Sequence, residues 1–576
     1  MQNLFKTSYI MLDSNLIKIF EESFRKNNDA PALTDYFKKE TLTYFDVAQD
    51  IAKLHLMFKE AGIERGDKIA LIGRNNTRWC VSYLATITYG AVIVPILQDF
   101  NPNDVVNIIN HSESKMLFLG DNFWDDIEGD QIPDIKAVFS LTDFHVIYER
   151  EGNTLTDFIT NINIHFAKAY PNGFTIDDIK YDEVPNDQLC LLNYTSGTTG
   201  SSKGVMLTVN NLTGNVVFAR DMVHPKQGYH YFRAGGRTLS FLPLAHAFGC
   251  AFDFLAPMAV GIHVTLLGRI PSPKILIEAM KSVKPNIVCS VPMILEKVYR
   301  KSILPMLEKT PMSIAMRIPL INTAIYSTIL SRLMEQFGGC VEIFIVGGAA
   351  LNKETEDFLR KIKFPLTVGY GMTECGPLIS FEAPPLFKPS SCGKVLPVHL
   401  EAKILSNDPQ NVPGELLIRG EHVMMGYYKN ESATKSVLEE DGWLHTGDMC
   451  TMDEDGTLYI RGRCKTMILS GSGQNIYPEE IEERLNNLYM VAESLIIENN
   501  GKLTALVVPD YDLANAERID MDRLPEIMEE NLKTLNTLVA SYEKVANIVI
   551  HREEFVKTPK RSIKRYLYSA ERLNLS

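Results

Sequence analysis

No two of this chain's nine cysteines form a C-x-x-C pair. They are dispersed (Cys80, Cys190, Cys250, Cys289, Cys340, Cys375, Cys392, Cys450, Cys464) and odd in number. That speaks against a disulfide framework and zinc-type spacing, and fits thiols kept reduced. Positive charge is in deficit: 58 Lys+Arg stand against 71 Asp+Glu, a formal net charge of −13. Broad binding to nucleic acid or anionic membranes is therefore not expected. Long uninterrupted apolar runs are missing too. The most apolar stretch, Leu244 to Gly268, is broken by His246, Asp253, Pro257 and His263, which marks buried core rather than a membrane span. The first residues, Met1 to Lys6, lack a basic region leading into an apolar one. No signal peptide is expected, and the expected location is cytoplasmic. Internal repeats and low-complexity tracts are absent.

What is present is ordinary globular material. Hydrophobic residues make up 45 % and charged residues 22 % of 576, a length that calls for two or more domains. Strand-like and helix-like segments alternate through the first 460 residues. Asp67–Gly73 predicts a short buried strand, and Leu42–Gly62 a helix ending at glycine. Val341–Val346 predicts a strand running into the turn Gly347-Gly348-Ala349-Ala350, followed by a helix starting near Leu351 or Asn352. Leu366–Gly369 predicts another short strand. Such alternation predicts α/β layers. After about residue 464 the character changes. Pro478 opens a helix with Glu479, Glu480 and Glu482 at its start, and Asn499-Asn500-Gly501 separates two β-like runs as a hairpin turn. A small α+β domain is expected there.

The densest chemical signal is Tyr194-Thr195-Ser196-Gly197-Thr198-Thr199-Gly200-Ser201-Ser202-Lys203-Gly204, directly after the apolar run Leu189–Leu192. Glycines let backbone N–H groups approach an anion, hydroxyls add donors, and the lysine adds charge. This reads as a phosphate cradle. It is not a Walker A loop, because Ser202 occupies the position of the second glycine and Gly204 follows Lys203.

The loop resembles the phosphate-binding signature of the adenylate-forming (AMP-binding) enzymes. Further motifs of that family follow in order as far as residue 565. Phe241–Phe248 is similar to the segment whose histidine, here His246, borders the acyl pocket. Gly347-Gly348-Ala349-Ala350 resembles the adenine-side loop. Gly369-Tyr370-Gly371-Met372-Thr373-Glu374 resembles the motif in which the Tyr stacks on adenine, the Thr contacts phosphate, and the Glu holds Mg²⁺. Thr446-Gly447-Asp448 resembles the segment whose Asp accepts the ribose hydroxyls. Gly462-Arg463-Cys464-Lys465 supplies a nucleotide-contacting Arg463 and a domain hinge at Lys465. Met467–Glu482, with Gly471, Ser472 and Gly473 on the acyl/CoA side, is similar to the long-chain acyl-CoA synthetase version.

The resemblance implies an α/β fold, with a large multi-subdomain N-terminal catalytic domain (1–463) and a small α+β C-terminal lid (464–576). It implies a fatty-acid–CoA ligase that uses ATP, Mg²⁺ and coenzyme A. Thr195, Ser196, Gly197, Thr198, Thr199, Gly200 and Lys203 would hold phosphates, and Gly347, Gly348, Ala349, Tyr370, Gly371, Thr373, Asp448 and Arg463 the rest of the nucleotide. Thr195, Lys203 and Glu374 would act in catalysis, with Glu374 also on the metal. Two other outcomes remain open on the sequence: acyl transfer to a carrier-protein phosphopantetheine, and a catalytically weakened homologue that only binds.

One position departs from the family pattern. Long-chain members deliver a C-terminal lysine to the adenylate from a stretch reading T-P-T-x-K-[IL]-K-R. Here the stretch is Thr558-Pro559-Lys560-Arg561-Ser562-Ile563-Lys564-Arg565, and Ser562 holds the lysine position. In an extended segment Lys560 and Lys564 share the face of Ser562, so either is the expected substitute. Between Arg552 and Arg572, seven basic residues stand against three acidic ones, the clearest basic patch in an acidic chain. Met312–Ile329, apolar but carrying Arg317 and Pro319, is expected as a buried helix pair, with peripheral membrane docking as the alternative.

Overall fold

The computed structural model describes residues 12–196, 202–269, 271–469, 474–499, 501–558 and 562–573. These fall into two compact units. The first runs to Thr195, resumes over Ser202–Glu401 and ends with Ile418–Leu444. The second contains Ala402–Leu417 and the chain from His445 onward.

The first unit is built on two large sheets. One has seven strands in the order Leu366–Val368, Ile343–Val346, Ile287–Ser290, Arg237–Ser240, His263–Leu266, Pro31–Asp35, Glu40–Thr43. Its pairings are parallel except the last, which is antiparallel. The other has eight, in the order Gly426–Tyr427, Ser202–Thr208, Leu189–Ser196, Val92–Ile96, Lys68–Ile72, Ser114–Leu119, Ala137–Ser140, Val146–Glu149. The five strands from Leu189–Ser196 to Ala137–Ser140 pair in parallel, and the outermost pair at each edge is antiparallel. Strands such as Val92–Ile96 and Ile343–Val346 are buried at every residue, because helices cover both faces of a parallel sheet.

Local signals operate as expected. The strand anticipated at Asp67–Gly73 is Lys68–Ile72, and the helix anticipated before it spans Tyr44–Glu60, opened by a Thr43–Asp46 capping box. The strand Ile343–Val346 runs into Gly347-Gly348. The following helix, Lys353–Lys361, starts where Asn352 accepts a hydrogen bond from the Thr355 N–H.

The stretch Leu244–Gly268 is core, as expected. It passes through a π-helical turn, Cys250–Leu255, in which every residue is buried. That turn carries Asp253 with neither carboxyl oxygen in a well-formed hydrogen bond, and Thr238 and Cys289 alongside. Burial pushes this carboxyl from its ordinary 3.8 up to about 8. The folded chain thus keeps a proton that the unfolded chain gives up above pH 4. Stability must then fall as pH rises towards 8 and level off beyond it. Asp253→Asn removes this titration. Urea melts are expected to show its stability advantage over the natural chain growing by about 4 kcal/mol between pH 5 and pH 8. Curves that stay parallel across that range would refute a neutral buried acid.

The expectation for Met312–Ile329 needs correction. Two helices do form there, Thr310–Ala315 and Ile321–Gln336, yet their apolar residues are largely at the surface. Ile314 is 56 % exposed and Leu320 84 %, and Ile318 and Ile321 are exposed as well. The physical reason is the break at Pro319 and Leu320, the latter at φ 73°. It turns one apolar run into a helix of 6 residues and one of 16 whose faces do not form a single stripe. Among the described residues, no helix is long and apolar enough to cross a membrane.

The second unit contains most of a four-stranded sheet in the order Leu400–Leu405, Gly414–Gly420, Leu444–Met452, Leu458–Arg463. It also has a three-stranded sheet of Val491–Asn499, Lys502–Pro509 and Val545–Ile550. The first two strands of the latter are the expected hairpin, paired from Val491–Pro509 to Asn499–Lys502. Alternation gives this sheet two apolar faces. Ile496, Ala505 and Val507 pack with Ile481 and Leu485 of the helix Pro478–Leu485. Leu495, Ile497, Leu506 and Val508 pack with Phe555, Tyr568 and Ile563.

Candidate functional site

Within the first unit, segments far apart in the chain converge on one pocket. His246 and Phe248 enter from the turn after the strand Arg237–Ser240. Gly347 and Gly348 come from the exit of Ile343–Val346, and Tyr370, Gly371 and Thr373 from the short pairing Tyr370–Gly371 with Leu378–Phe381. Phe218, Phe252, Ile345 and Phe381 make one side apolar and aromatic. Close packing explains one glycine: a Cβ on Gly371 would sit 2.0 Å from the Pro377 carbonyl oxygen. His246 caps the turn below it, its Nδ1 accepting from the Phe248 N–H at 3.3 Å.

Glu374 lies in the 3₁₀ turn Thr373–Cys375. Its Oε1 accepts a hydrogen bond from the Tyr427 hydroxyl at 2.9 Å, and its backbone carbonyl accepts from the Met424 N–H at 2.9 Å. Burial and the nearby Glu374 carboxylate both push the Tyr427 phenol up, so it stays protonated and donates. The ammonium of Lys203 stands 4.9 Å over the same ring, a cation–π distance. Tyr427 therefore links the lysine of the glycine-rich loop to the acid of the Tyr370–Glu374 motif. No sequence motif marks it for this role; its place beside Gly426 in the edge strand pairing with Ser202–Thr208 is a tertiary fact. Thr195, half-buried, is the penultimate residue of the neighbouring strand Leu189–Ser196. Behind it the Tyr194 hydroxyl meets His111 Nδ1 at 2.7 Å. Gly197, Thr198, Thr199 and Gly200 lie outside the described residues, as do Gly471, Ser472, Gly473 and Lys560, and nothing is described of the Ser196 side chain.

In the second unit, Asp448 and Arg463 face one another on paired strands, with Arg463 Nε 2.8 Å from Asp448 Oδ1. Asp448 is buried and Arg463 exposed. Thr446 Oγ1 accepts from the Asp448 N–H at 3.1 Å and donates to the Leu416 carbonyl at 2.8 Å, fixing the Thr446–Asp448 turn. Lys465 is exposed, one residue beyond Cys464, whose N–H bonds the Gly447 carbonyl.

The described residues on either side of 559–561 pair with one another. Lys557 bridges Ile563, Thr558 N–H bonds the Ser562 carbonyl at 2.8 Å, and Lys564 N–H bonds the Val556 carbonyl at 2.9 Å. Ile563 packs inward, so Ser562 and Lys564 point the other way. Lys557 pairs with Glu493 at 2.5 Å and Arg565 with Glu482 and Glu479. Lys564 has no ion pair among the described residues.

The donor sets suit hard and anionic partners. Glu374 offers an oxygen ligand of the kind Mg²⁺ takes, and among the described residues its Oε2 has no hydrogen-bond partner. Gly348 stands at φ 86° with nothing within 4 Å of where a Cβ would lie, open room beside a backbone edge where a flat base could lie.

A profile of the family described as AMP-binding enzyme matches residues 20–428. A long-chain-fatty-acid–CoA ligase of Escherichia coli O157:H7 is 27 % identical over 571 residues, covering 94 % of this chain and 92 % of that one. The 4-coumarate–CoA ligase CCL1 of Humulus lupulus is 28 % identical, covering 96 % and 92 %. Among solved structures, the anthranilate CoA ligase AuaEII in complex with anthranoyl-AMP superposes with a TM-score of 0.74 at 19 % identity, covering 97 % of this chain and 98 % of that one. ATP-bound MatB from Rhodopseudomonas palustris gives 0.74 at 22 %, covering 96 % and 98 %. The expected α/β fold is thereby shown.

Proposed function

The chain belongs to the AMP-binding enzyme family, and on that premise we propose that it is a fatty-acid–CoA ligase. A carboxylate is a poor acylating agent because oxide is a hopeless leaving group. In the first half-reaction a carboxylate oxygen attacks the α-phosphorus of ATP and pyrophosphate leaves. In the second, the sulfur of coenzyme A attacks the acyl carbon, AMP leaves, and the thiol proton passes to solvent.

The observation that carries this reading is the pocket joining His246, Gly347, Gly348, Tyr370, Gly371 and Thr373, an apolar chamber beside an open backbone edge. Gly347, Gly348 and Ala349 border the adenine and Tyr370 stacks on it. Thr373, Thr195 and Lys203, with the loop through Gly200, bind phosphates. Asp448 accepts the ribose hydroxyls, Arg463 contacts the nucleotide, and Gly471–Gly473 serve the acyl/CoA side. Glu374 holds Mg²⁺, which when bound offsets the charge that builds up as carboxylate meets phosphate. Tyr427 positions Glu374 and holds Lys203 close without touching substrate. Residues 464–576 act as a lid turning at Lys465, so that one adenylate meets two sets of groups in turn.

The phenylalanine-rich lining and the relatives together favour an apolar acid. Each further buried methylene is worth about 0.8 kcal/mol, about fourfold in kcat/KM. Pyrophosphate release, followed with and without coenzyme A, is expected to rise in kcat/KM from octanoate to palmitate and to remain low with 4-coumarate and anthranilate. A ranking led by the aromatic acids would move the assignment to an aryl-acid–CoA ligase, which the same ring of phenylalanines would then explain.

A further inference from the structure

Behind the pocket, still within the first unit, lies a cluster that no motif announced. His399 sits in the turn before the strand Leu400–Leu405, and Glu421 and His422 in the turn after the strand Gly414–Gly420. Their side chains are 10 %, 1 % and 0 % exposed. His399 Nδ1 contacts Glu421 Oε1, the two imidazole rings stack with centroids 5.2 Å apart, and the candidate ligand atoms all lie within 4.8 Å of one another.

The informative atom is His422 Nε2. On the other side of the ring, Nδ1 is 2.8 Å from the Leu378 carbonyl. A carbonyl only accepts, so Nδ1 carries the hydrogen and Nε2 keeps its lone pair. That nitrogen is buried without a well-formed hydrogen bond, 4.0 Å from Glu421 Oε1; the Gly214 backbone lies close enough to be at most a weak partner. A buried polar atom left in this way needs an explanation. Gly214 gives a second sign. It stands within the helix Val209–Asp221, where glycine costs up to about 1 kcal/mol against alanine. A Cβ there would come 2.7 Å from His422 Nε2 and 3.0 Å from Glu421 Oε1. The missing side chain keeps open the ground beside the two ligand atoms.

We propose that His399, Glu421 and His422 supply three ligands to a first-row divalent transition metal of the zinc class, the fourth position falling to water. Two imidazoles and one carboxylate are zinc-type ligands, and an imidazole that donates its far N–H to a backbone carbonyl is the arrangement metal-bound histidines adopt. Tetrahedral bonds of about 2.0–2.1 Å draw ligand atoms to about 3.3 Å apart, which rotation of these side chains supplies. The site is distinct from Glu374 and its role is bracing. His422 grips Leu378, which lines the pocket. Two residues further on, the Met424 N–H holds the Glu374 carbonyl. Asn211 fixes the same turn by donating to the Glu421 and Val423 carbonyls at 2.6 and 3.0 Å.

The untagged full-length chain, stripped with chelator and titrated with Co²⁺, is expected to develop visible ligand-field absorption that saturates at one equivalent. Zn²⁺ should displace it and raise Tm, whereas Mg²⁺ does neither. His422→Gln and His399→Gln are each expected to weaken Co²⁺ binding about 100-fold. His399 is the rim residue, and Gly214→Ala crowds the space without replacing a ligand, so these two carry the test if His422→Gln does not fold. No band at one equivalent, or an undiminished band in both His399→Gln and Gly214→Ala, overturns the proposal.

Discussion

Glu374→Gln is expected to lower acid-dependent ATP–pyrophosphate exchange at least ~100-fold, the scale on which single charge-stabilising groups act in transition states. The substitution keeps the side chain's size and leaves an oxygen that can still accept from the Tyr427 hydroxyl, now 2.9 Å away. What it removes is the negative charge that a hard dication needs beside triphosphate. Folding should be nearly unaffected, because one partly exposed hydrogen bond is worth about 1 kcal/mol. Raising Mg²⁺ should recover part of the exchange in the variant. Exchange that survives at the natural rate would mean that Glu374 does not hold the metal, whatever the resemblance of Tyr370–Glu374 to the family's motif.

The second large effect concerns the position where the family's lysine is replaced. Lys564→Ala is expected to reduce the same exchange ~100-fold, yet to leave the attack of coenzyme A on supplied acyl-adenylate within about threefold of the natural rate. The pairing around Ser562 sharpens the choice between the two lysines. Ile563 is committed to the core on one side, so Ser562 and Lys564 share the other, and the neighbouring Lys557 and Arg565 are already spent on Glu493, Glu479 and Glu482. Lys560 lies outside the described residues and is the control. If Lys560→Ala alone suppresses exchange, it is the substitute. If neither single variant nor the double changes exchange, no lysine of this run serves the first half-reaction. The split between half-reactions matters because a merely folding defect would slow both.

Much of this was legible in the sequence, for identifiable reasons. Asn352 capping Lys353–Lys361, the Asn499–Gly501 hairpin and the fully apolar strands are local signals, each set by a few adjacent residues. The motif residues were legible one by one, and the pocket confirms that His246, Gly347, Gly348, Tyr370, Gly371 and Thr373 come together although more than a hundred residues separate the first from the last. What stayed hidden depends on contacts across the fold. Met312–Ile329 looked like a buried pair because its composition is apolar, but a helix break at Pro319–Leu320 decides which way those residues face. Asp253 looked like ordinary punctuation in a buried stretch; that it sits unpaired in a π-helical turn depends on where Thr238 and Cys289 fall. Tyr427 was visible as a residue and invisible as the link between Lys203 and Glu374. The cluster has no zinc-type spacing in sequence, because His399 is brought to Glu421 and His422 by the pairing of two strands, beside a missing side chain at Gly214.

The central claim is that this chain activates a carboxylate by adenylation before any thiol is involved. Its most direct test is exchange of labelled pyrophosphate into ATP with the natural chain, Mg²⁺ and palmitate, in the complete absence of coenzyme A. Exchange should require the acid, and adding coenzyme A should then yield AMP and palmitoyl-CoA in equal amounts. Exchange that needs coenzyme A, or nucleotide consumption that yields ADP and phosphate, would contradict it.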